Sequence, residues 1–247
     1  MNEIYKECSK LIKYAKKTLV FTGAGISVES GIPPFRGKNG LWSKYDPKIA
    51  DINYFYSNPD SSWIFLKEIF YKYFKQVNPN LAHFIIAKWE DIGLVQGVIT
   101  QNIDFLHQKA GNKNVYEIHG TLKYLRCDFC KNKIEFSMNL LKVTPVKCHK
   151  CDKALRPDIV FFGERLNEPD TSLAFDEAKN CDLMIVIGST GEVMPAALIP
   201  HIAKENGAKV IEINPEASNF TNAISDIHIK EKASEGLKNI DFCINLR

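Results

Sequence analysis

Apolar residues at Ile4, Cys8, Leu11, Ile12 and Ala15 recur at the three- and four-residue spacing of one helix face. The chain then passes into TLVFTGAG (18–25), a short β-branched apolar run that ends in glycines, so helix, strand and glycine-rich turn open the sequence. Three later runs, LVQGVIT (94–100), DLMIVIG (182–188) and KVIEIN (209–214), are nearly continuous in apolar character, the pattern of strands buried on both faces. Between the last two, PAALIPHIAKENG (195–207) has the length of a crossover helix, with Gly207 placed for the left-handed residue that ends it. Strands alternating with helices predict an α/β fold on a parallel, doubly wound sheet.

Two stretches stand outside this alternation. Residues 44–80 are aromatic-rich with helical spacing (Trp63, Phe65, Leu66, Ile69, Phe70, Tyr73, Phe74), and residues 121–155 carry most of the cysteines. Both are read as insertions that form a smaller lobe, leaving 1–43, 81–120 and 156–247 to the sheet. No internal repeat or long linker suggests domains in series, and 247 residues with 45% hydrophobic content suit one globular unit.

A net charge of +3, from 32 basic and 29 acidic residues, is too balanced to argue for a nucleic-acid or anionic-membrane surface. No run reaches the roughly 18 apolar residues of a membrane span, and MNEIYKECSKLIKYAKK lacks the apolar core of a signal peptide, so a cytoplasmic protein is expected. Cys8, Cys181 and Cys243 stand singly, whereas Cys127-x-x-Cys130 and Cys148-x-x-Cys151 are separated by 17 residues. That spacing matches a tetrahedral zinc site of four cysteines and not a disulfide framework. Four thiolates fill the coordination shell and leave no position for water, so the zinc is expected to be structural and the chemistry to lie elsewhere.

The turn Thr22-Gly23-Ala24-Gly25-Ile26-Ser27 follows a predicted strand, and its glycines suit close approach of backbone to a pyrophosphate. It lacks the third glycine of a dinucleotide fingerprint, so a plain strand-to-helix connection stays open. Residues 30–37 form a Gly/Pro-punctuated loop presenting Phe35 and Arg36, suited to covering a cofactor or to plain surface. Gln101-Asn102-Ile103-Asp104 directly follows LVQGVIT, where an open α/β sheet places its ligands. Its amide and carboxylate groups suit ribose hydroxyls, or equally the cap of the next helix.

Taken in order, GAGISVESGIPPFRG (23–37), TQNIDFLHQKAG (100–111), EIHG (117–120), the two Cys pairs, FFGE (161–164), GST (188–190) and INP (213–215) resemble the sirtuins across nearly the whole chain. The resemblance implies a Rossmann-like large domain, a small lobe of zinc module plus helical insertion, and NAD-dependent deacylation of lysine in protein or peptide substrates, with nicotinamide and O-acyl-ADP-ribose as products. It makes His119 the general base that draws a proton from the ribose hydroxyls after the acyl oxygen attacks the ribose, with Asn102 beside it in the catalytic set. By the same resemblance Gly23, Ala24, Gly25, Ile26, Ser27, Phe35 and Arg36 form the cofactor loop. Gln101, Asn102, Ile103 and Asp104, with His119, serve the nicotinamide-ribose end. Gly188, Ser189, Thr190, Asn214 and Pro215 serve the phosphates and adenosine ribose, and Val160, Phe161, Phe162, Gly163 and Glu164 clamp the peptide against Gly191, Glu192 and Val193.

One departure from the family pattern is Pro34, where an aspartate is usual; proline supplies neither a carboxylate nor an N–H. Family members that prefer succinyl or malonyl groups carry a Tyr-x-x-Arg pair, but here Tyr71 is followed by Phe74 and no arginine lies between Arg36 and Arg126. Neutral acyl groups, acetyl or longer fatty chains, are therefore expected. ADP-ribosyl transfer and NAD hydrolysis are alternative outcomes on the same scaffold; a zinc-ribbon binding module or a nicotinamide dehydrogenase fits the motifs less well. Neither a membrane nor a nucleic acid is an expected partner.

Overall fold

The computed structural model describes residues 2–36, 40–73 and 77–245, without the side chains of residues 70–73. Gly37, Phe74 and the side chains of Phe70, Tyr71 and Tyr73, read above as part of the cofactor loop and the aromatic insertion, lie outside what is described.

The chain opens with α1 (Glu3–Tyr14), capped by the Asn2 side chain, and runs into β1 (Thr18–Thr22) and a 3-10 turn over Ala24–Ser30. Helices α2 (Ile52–Ser57), α3 (Pro59–Tyr73) and α4 (Leu81–Asp91) precede β2 (Gly97–Thr100), α5 (Leu106–Ala110) and β3 (Val115–Glu117). Strands β4 (Gly120–Arg126), β5 (Lys133–Glu135) and β6 (Arg156–Ile159) surround the cysteines. Then come α6 (Asp170–Lys179), β7 (Leu183–Ile187), α7 (Leu198–Glu205), β8 (Lys209–Ile213), β9 (Ile227–Ile229) and α8 (Ala233–Asn245).

Six of the strands form one parallel sheet in the order β3-β2-β1-β7-β8-β9. Renumbered within the sheet this is 3-2-1-4-5-6, the doubly wound dinucleotide-binding order, with its reversal between β1 and β7. Both faces are covered, which is why the strands read as continuous apolar runs. Val20, Ile185, Ile187 and Ile211 pack with α1, α4 and α8 on one side; Leu19, Phe21, Met184 and Val186 pack with α6 and α7 on the other. The run LVQGVIT enters the sheet only at Gly97, because the Leu94 and Val95 amides are spent closing α4 on the Trp89 carbonyl. Gly207, at φ +95°, ends the turn after α7 as its sequence position predicts.

The second lobe combines α2 and α3 with an antiparallel sheet ordered β5-β4-β6, so its strands reach residue 159. One core serves the whole lobe: Phe55, Trp63 and Leu66 from the helices meet Leu125, Cys127, Cys148 and Leu155 from the cysteine module. The Trp63 indole donates to the Leu155 carbonyl at 2.8 Å, tying α3 to the end of that module. Beneath it lies Arg156, 1% exposed, donating to Asp128 and to both oxygens of Glu164. Arg126, bonded to Asp128 and Asp158, extends this network. A buried guanidinium is tolerated only with such complete pairing.

Candidate active site and metal centre

The parallel register brings four strand ends level. Thr22 pairs with Thr100 on one side and Ile187 on the other, and Ile187 pairs with Ile213. The loops beginning at Gly23, Gln101, Gly188 and Asn214 therefore emerge side by side along the carboxyl edge of the sheet.

At the reversal point the first loop is stitched to the third. Gly23 N–H donates to the Ile187 carbonyl at 3.0 Å and Gly25 N–H to the Gly188 carbonyl at 2.9 Å. A Cβ on Gly25 would stand 2.6 Å from Gly188 Cα, and Gly188 itself holds φ +61°. The glycines thus serve first to let two backbones touch, and only through that contact to shape the loop. Ile26 turns its side chain into the core, so only its backbone belongs to the loop.

Around this seam the polar side chains interlock. Asn102 Nδ2 donates to the Gly23 carbonyl (3.1 Å) and Ser27 Oγ (3.2 Å), while Ser27 Oγ donates to Asp104 Oδ2 (2.6 Å). Asp104 Oδ1 also accepts from the Leu106 amide, the first of α5, from one residue ahead of the N-cap position Phe105. Burial raises its pKa above the ordinary carboxylate value, opposed by the Ser27 hydrogen bond. Gln101 reaches across to Ser189 Oγ (2.9 Å), and Asn214 Nδ2 donates to the Ser189 carbonyl (3.1 Å). Thr190 and Pro215 are exposed at the rim.

His119 follows β3 at the same edge. Its Nδ1 lies 3.0 Å from the Gln101 carbonyl, which can only accept, so Nδ1 carries the proton and Nε2 presents a bare lone pair. Burial lowers its pKa, partly offset by that hydrogen bond, and keeps the ring neutral at pH 7. Phe35 and Phe162 both pack against Trp42, which itself stacks on Phe65 with ring centroids 6.5 Å apart. Trp42 has no periodic context in the sequence, so nothing there marks it as the hub of these rings. Arg36 lies 3.7 Å from Glu192, bridging the loop that follows Gly31 to the 191–193 segment.

The 160–164 segment is less open than its motif suggests. Val160 N–H donates to the His119 carbonyl, and Phe162 exchanges backbone hydrogen bonds with Ala50 and Ile52. The Glu164 carboxylate turns inward to Arg156 and the Phe161 amide, holding the loop from beneath.

Behind the site, His107 Nε2 meets Thr22 Oγ1 at 3.1 Å and its ring packs 5.0 Å from that of His83. Burial holds their pKa values at about 4 and about 3. Both are lowered, so the unfolded chain binds these two protons first: their contribution to stability is complete above pH 6.5 and is lost as pH falls from there towards 4 for His107 and 3 for His83. Each histidine costs on the order of 1.4 kcal/mol per pH unit. Glu117, raised by burial to about 7, acts oppositely between pH 7 and 4.5. The expected net result is a falling melting temperature below pH 6.5, with a shallower fall in His107→Asn. An unchanged slope in that variant would refute the assignment.

The sulfurs of Cys127, Cys130, Cys148 and Cys151 all lie within 4.8 Å of one another, with Cys127 to Cys151 at 3.4 Å and Cys130 to Cys148 at 3.6 Å. Four sulfurs about 2.3 Å from a central zinc would stand roughly 3.8 Å apart, so the donor set fits. The two halves are built alike. Cys127 N–H donates to Asn132 O and Lys131 N–H to Cys127 O; Cys148 N–H donates to Lys153 O and Asp152 N–H to Cys148 O. Lys131 and Asp152 each take positive φ to close the turn.

The Sir2 family model matches residues 23–195, from the glycine seam to the end of the 191–193 segment. The chain belongs to the Sir2 family. An NAD-dependent protein deacylase of Pyrococcus abyssi is 42% identical with 95% of each chain covered. The NAD-dependent protein deacylase 2 of Archaeoglobus fulgidus is 43% identical over 97% of this chain and 96% of its own. Among solved structures, one from work on the mechanism and regulation of Sir2 enzymes superposes with TM-score 0.91 at 42% identity over the full length of both chains. A Sir2–p53 peptide–NAD+ complex superposes with TM-score 0.88 at 37% identity over 97% of each. The Sir2 fold and the four-cysteine module expected from sequence are both present.

Proposed function

We propose that this Sir2 protein is an NAD-dependent protein lysine deacylase in which His119 is the general base. The observation that carries the reading is the Gln101 carbonyl on His119 Nδ1, which leaves Nε2 unprotonated at the edge where the four loops meet. NAD, when bound, supplies an anomeric carbon with a cationic leaving group and ribose hydroxyls able to accept the acyl group. Nε2 of His119 takes the proton from a ribose hydroxyl, a task suited to a base whose ordinary pKa is near working pH and is here lowered by burial. Asn102 holds Gly23 and Ser27 in place, so the loop wall and the ribose-binding side chains form one rigid unit. Gln101, Ile103 and Asp104 are assigned to the nicotinamide-ribose end, Gly188 to Thr190 with Asn214 and Pro215 to the phosphates and adenosine ribose. Val160 to Glu164 and Gly191 to Val193 are assigned to the substrate peptide.

The same reading divides the chain into an NAD-binding domain, expected from sequence at 1–43, 81–120 and 156–247, and a small lobe expected at 44–80 and 121–155, to which β4 from Gly120 and β6 up to Ile159 belong by their pairing, with the zinc structural. Among the described residues no helix is long and apolar enough to cross a membrane. A cytoplasmic location is part of the proposal.

The test is mass spectrometry of acetyl-lysine, myristoyl-lysine and succinyl-lysine peptides incubated with the protein, with and without NAD. Loss of acyl mass from the first two, with O-acyl-ADP-ribose formed, is the expected result. NAD consumption with all peptides intact would favour hydrolysis or ADP-ribosyl transfer.

The glycine seam gives a second expectation. In Gly25→Ala the added methyl meets Gly188 backbone, which cannot rotate away, so overpacking of about 1–3 kcal/mol must be relieved by displacing the loop. NAD affinity measured by calorimetry is expected to fall about tenfold or more. Wild-type affinity would show that the seam does not shape the site.

A further inference from the structure

Resting on the deacylase reading, the backbone hydrogen bonds already in use decide where a substrate strand can add. Within 160–165, the amides of Val160, Phe161, Phe162 and Glu164 are all committed. Among the described residues, the N–H and C=O of Gly163 and the N–H of Arg165 carry no hydrogen bond. On the other segment, Gly191 is occupied through Ser189 and Asn219, whereas the backbone of Glu192 and the N–H groups of Val193 and Met194 are not. A peptide pairing in β fashion therefore runs beside Gly163 and Arg165.

Next to this edge is a cavity of about 310 Å³, bounded by Gly120, Val160, Arg126, Arg165, Asn167 and Glu168 among others. Gly120 follows His119 directly and Val160 N–H is bonded to the His119 carbonyl, so the cavity adjoins the strand end that carries His119. Apart from Glu168 and Arg165 its charges are paired: Arg126 on Asp128 and Asp158, Asp158 also on Lys133, and Glu164 on Arg156. Glu168 accepts from the Ser172 amide in the first turn of α6. Arg165 alone among them has no ion pair or hydrogen bond in the described residues. Across the cleft, Glu192 is met by Arg36, so no free carboxylate there competes for a cation.

We propose that this cavity is a subsite for an acidic side chain flanking the acyl-lysine of the substrate, with Arg165 as the residue that recognises it. A guanidinium at the rim of a partly enclosed cavity favours a carboxylate with bidentate geometry and rejects a lysine by repulsion. Arg165 sits outside the reacting groups, so it acts on substrate binding and not on the chemical step.

The experiment compares acetyl-lysine peptides identical except for glutamate, glutamine or lysine at the flanking positions, on wild type, Arg165→Ala and Arg165→Glu. KM for the glutamate peptide should be about five- to tenfold below that for glutamine and lower still against lysine, with kcat unchanged. Arg165→Ala should erase the preference and Arg165→Glu should invert it. Fluorescence anisotropy of the same labelled peptides reads the preference without turnover, which separates failure of this inference from failure of the deacylase reading. Wild-type binding indifferent to flanking charge, or a preference that survives in Arg165→Ala, would overturn the proposal.

Discussion

His119→Ala is expected to lower NAD-dependent deacylation by about 10²- to 10⁴-fold, the range for loss of a positioned general base. The ring is held by one hydrogen bond from Nδ1 to the Gln101 carbonyl, and its position follows from β3 pairing with β2 up to Thr100 and Glu117. The backbone position does not depend on the imidazole and the variant loses only that one hydrogen bond, so its unfolding free energy should fall by no more than about 1 kcal/mol. NAD binding by calorimetry should likewise persist. Because burial lowers the His119 pKa, the neutral base survives below the ordinary histidine value, and the acidic limb of the wild-type kcat/KM profile should lie below pH 6.5. An acidic limb at or above 6.5, or full activity in the alanine variant, would remove His119 from this role.

Loss of the metal is expected to have the largest effect on stability. Cys127 and Cys148 are buried members of the same core as Phe55, Trp63 and Leu155, so the metal site and the helical insertion fold together. Structural zinc sites contribute on the order of 10 kcal/mol, comparable with the whole 5–15 kcal/mol that holds a domain folded. A strong chelator, or Cys148→Ser, should therefore unfold the small lobe and move the emission of Trp63 to longer wavelength as its bond to Leu155 is lost. Activity should disappear with it, since β6 leads directly into Val160 and the 161–164 loop, which rests on Arg156. Zinc added back to the wild type should restore both signals. A protein that keeps its fluorescence and melting temperature after complete chelation would show the lobe to be held by its apolar core alone.

The sheet was legible where strands are buried on both faces. Leu183–Ile187 and Lys209–Ile213 read directly as strands because packing on two sides removes the polar alternation. The edge strands Val115–Glu117 and Ile227–Ile229 are three residues each and too short to leave a period. The cysteine pairs were legible for a different reason: each knuckle is closed by hydrogen bonds within a few residues, so spacing alone specifies it. Glu164 was not. Its motif suggests a substrate contact, whereas its carboxylate is spent on Arg156, a partner whose burial appears only once β4, β6 and α3 are packed.

By itself, then, the order of residues determined the α/β class and the four-cysteine module, because those follow from local periodicity and cysteine spacing, while the proposed base and its loops were read from the order of motifs that resembles the family. What the tertiary structure alone decided is how the loops meet. The in-register pairing of Thr22, Thr100, Ile187 and Ile213 sets them level, the contact of Gly25 with Gly188 locks two of them together, and the competition for hydrogen bonds leaves Gly163 and Arg165 without a partner among the described residues. Those outcomes depend on residues far apart in the chain competing for the same partners, and no local pattern records who wins.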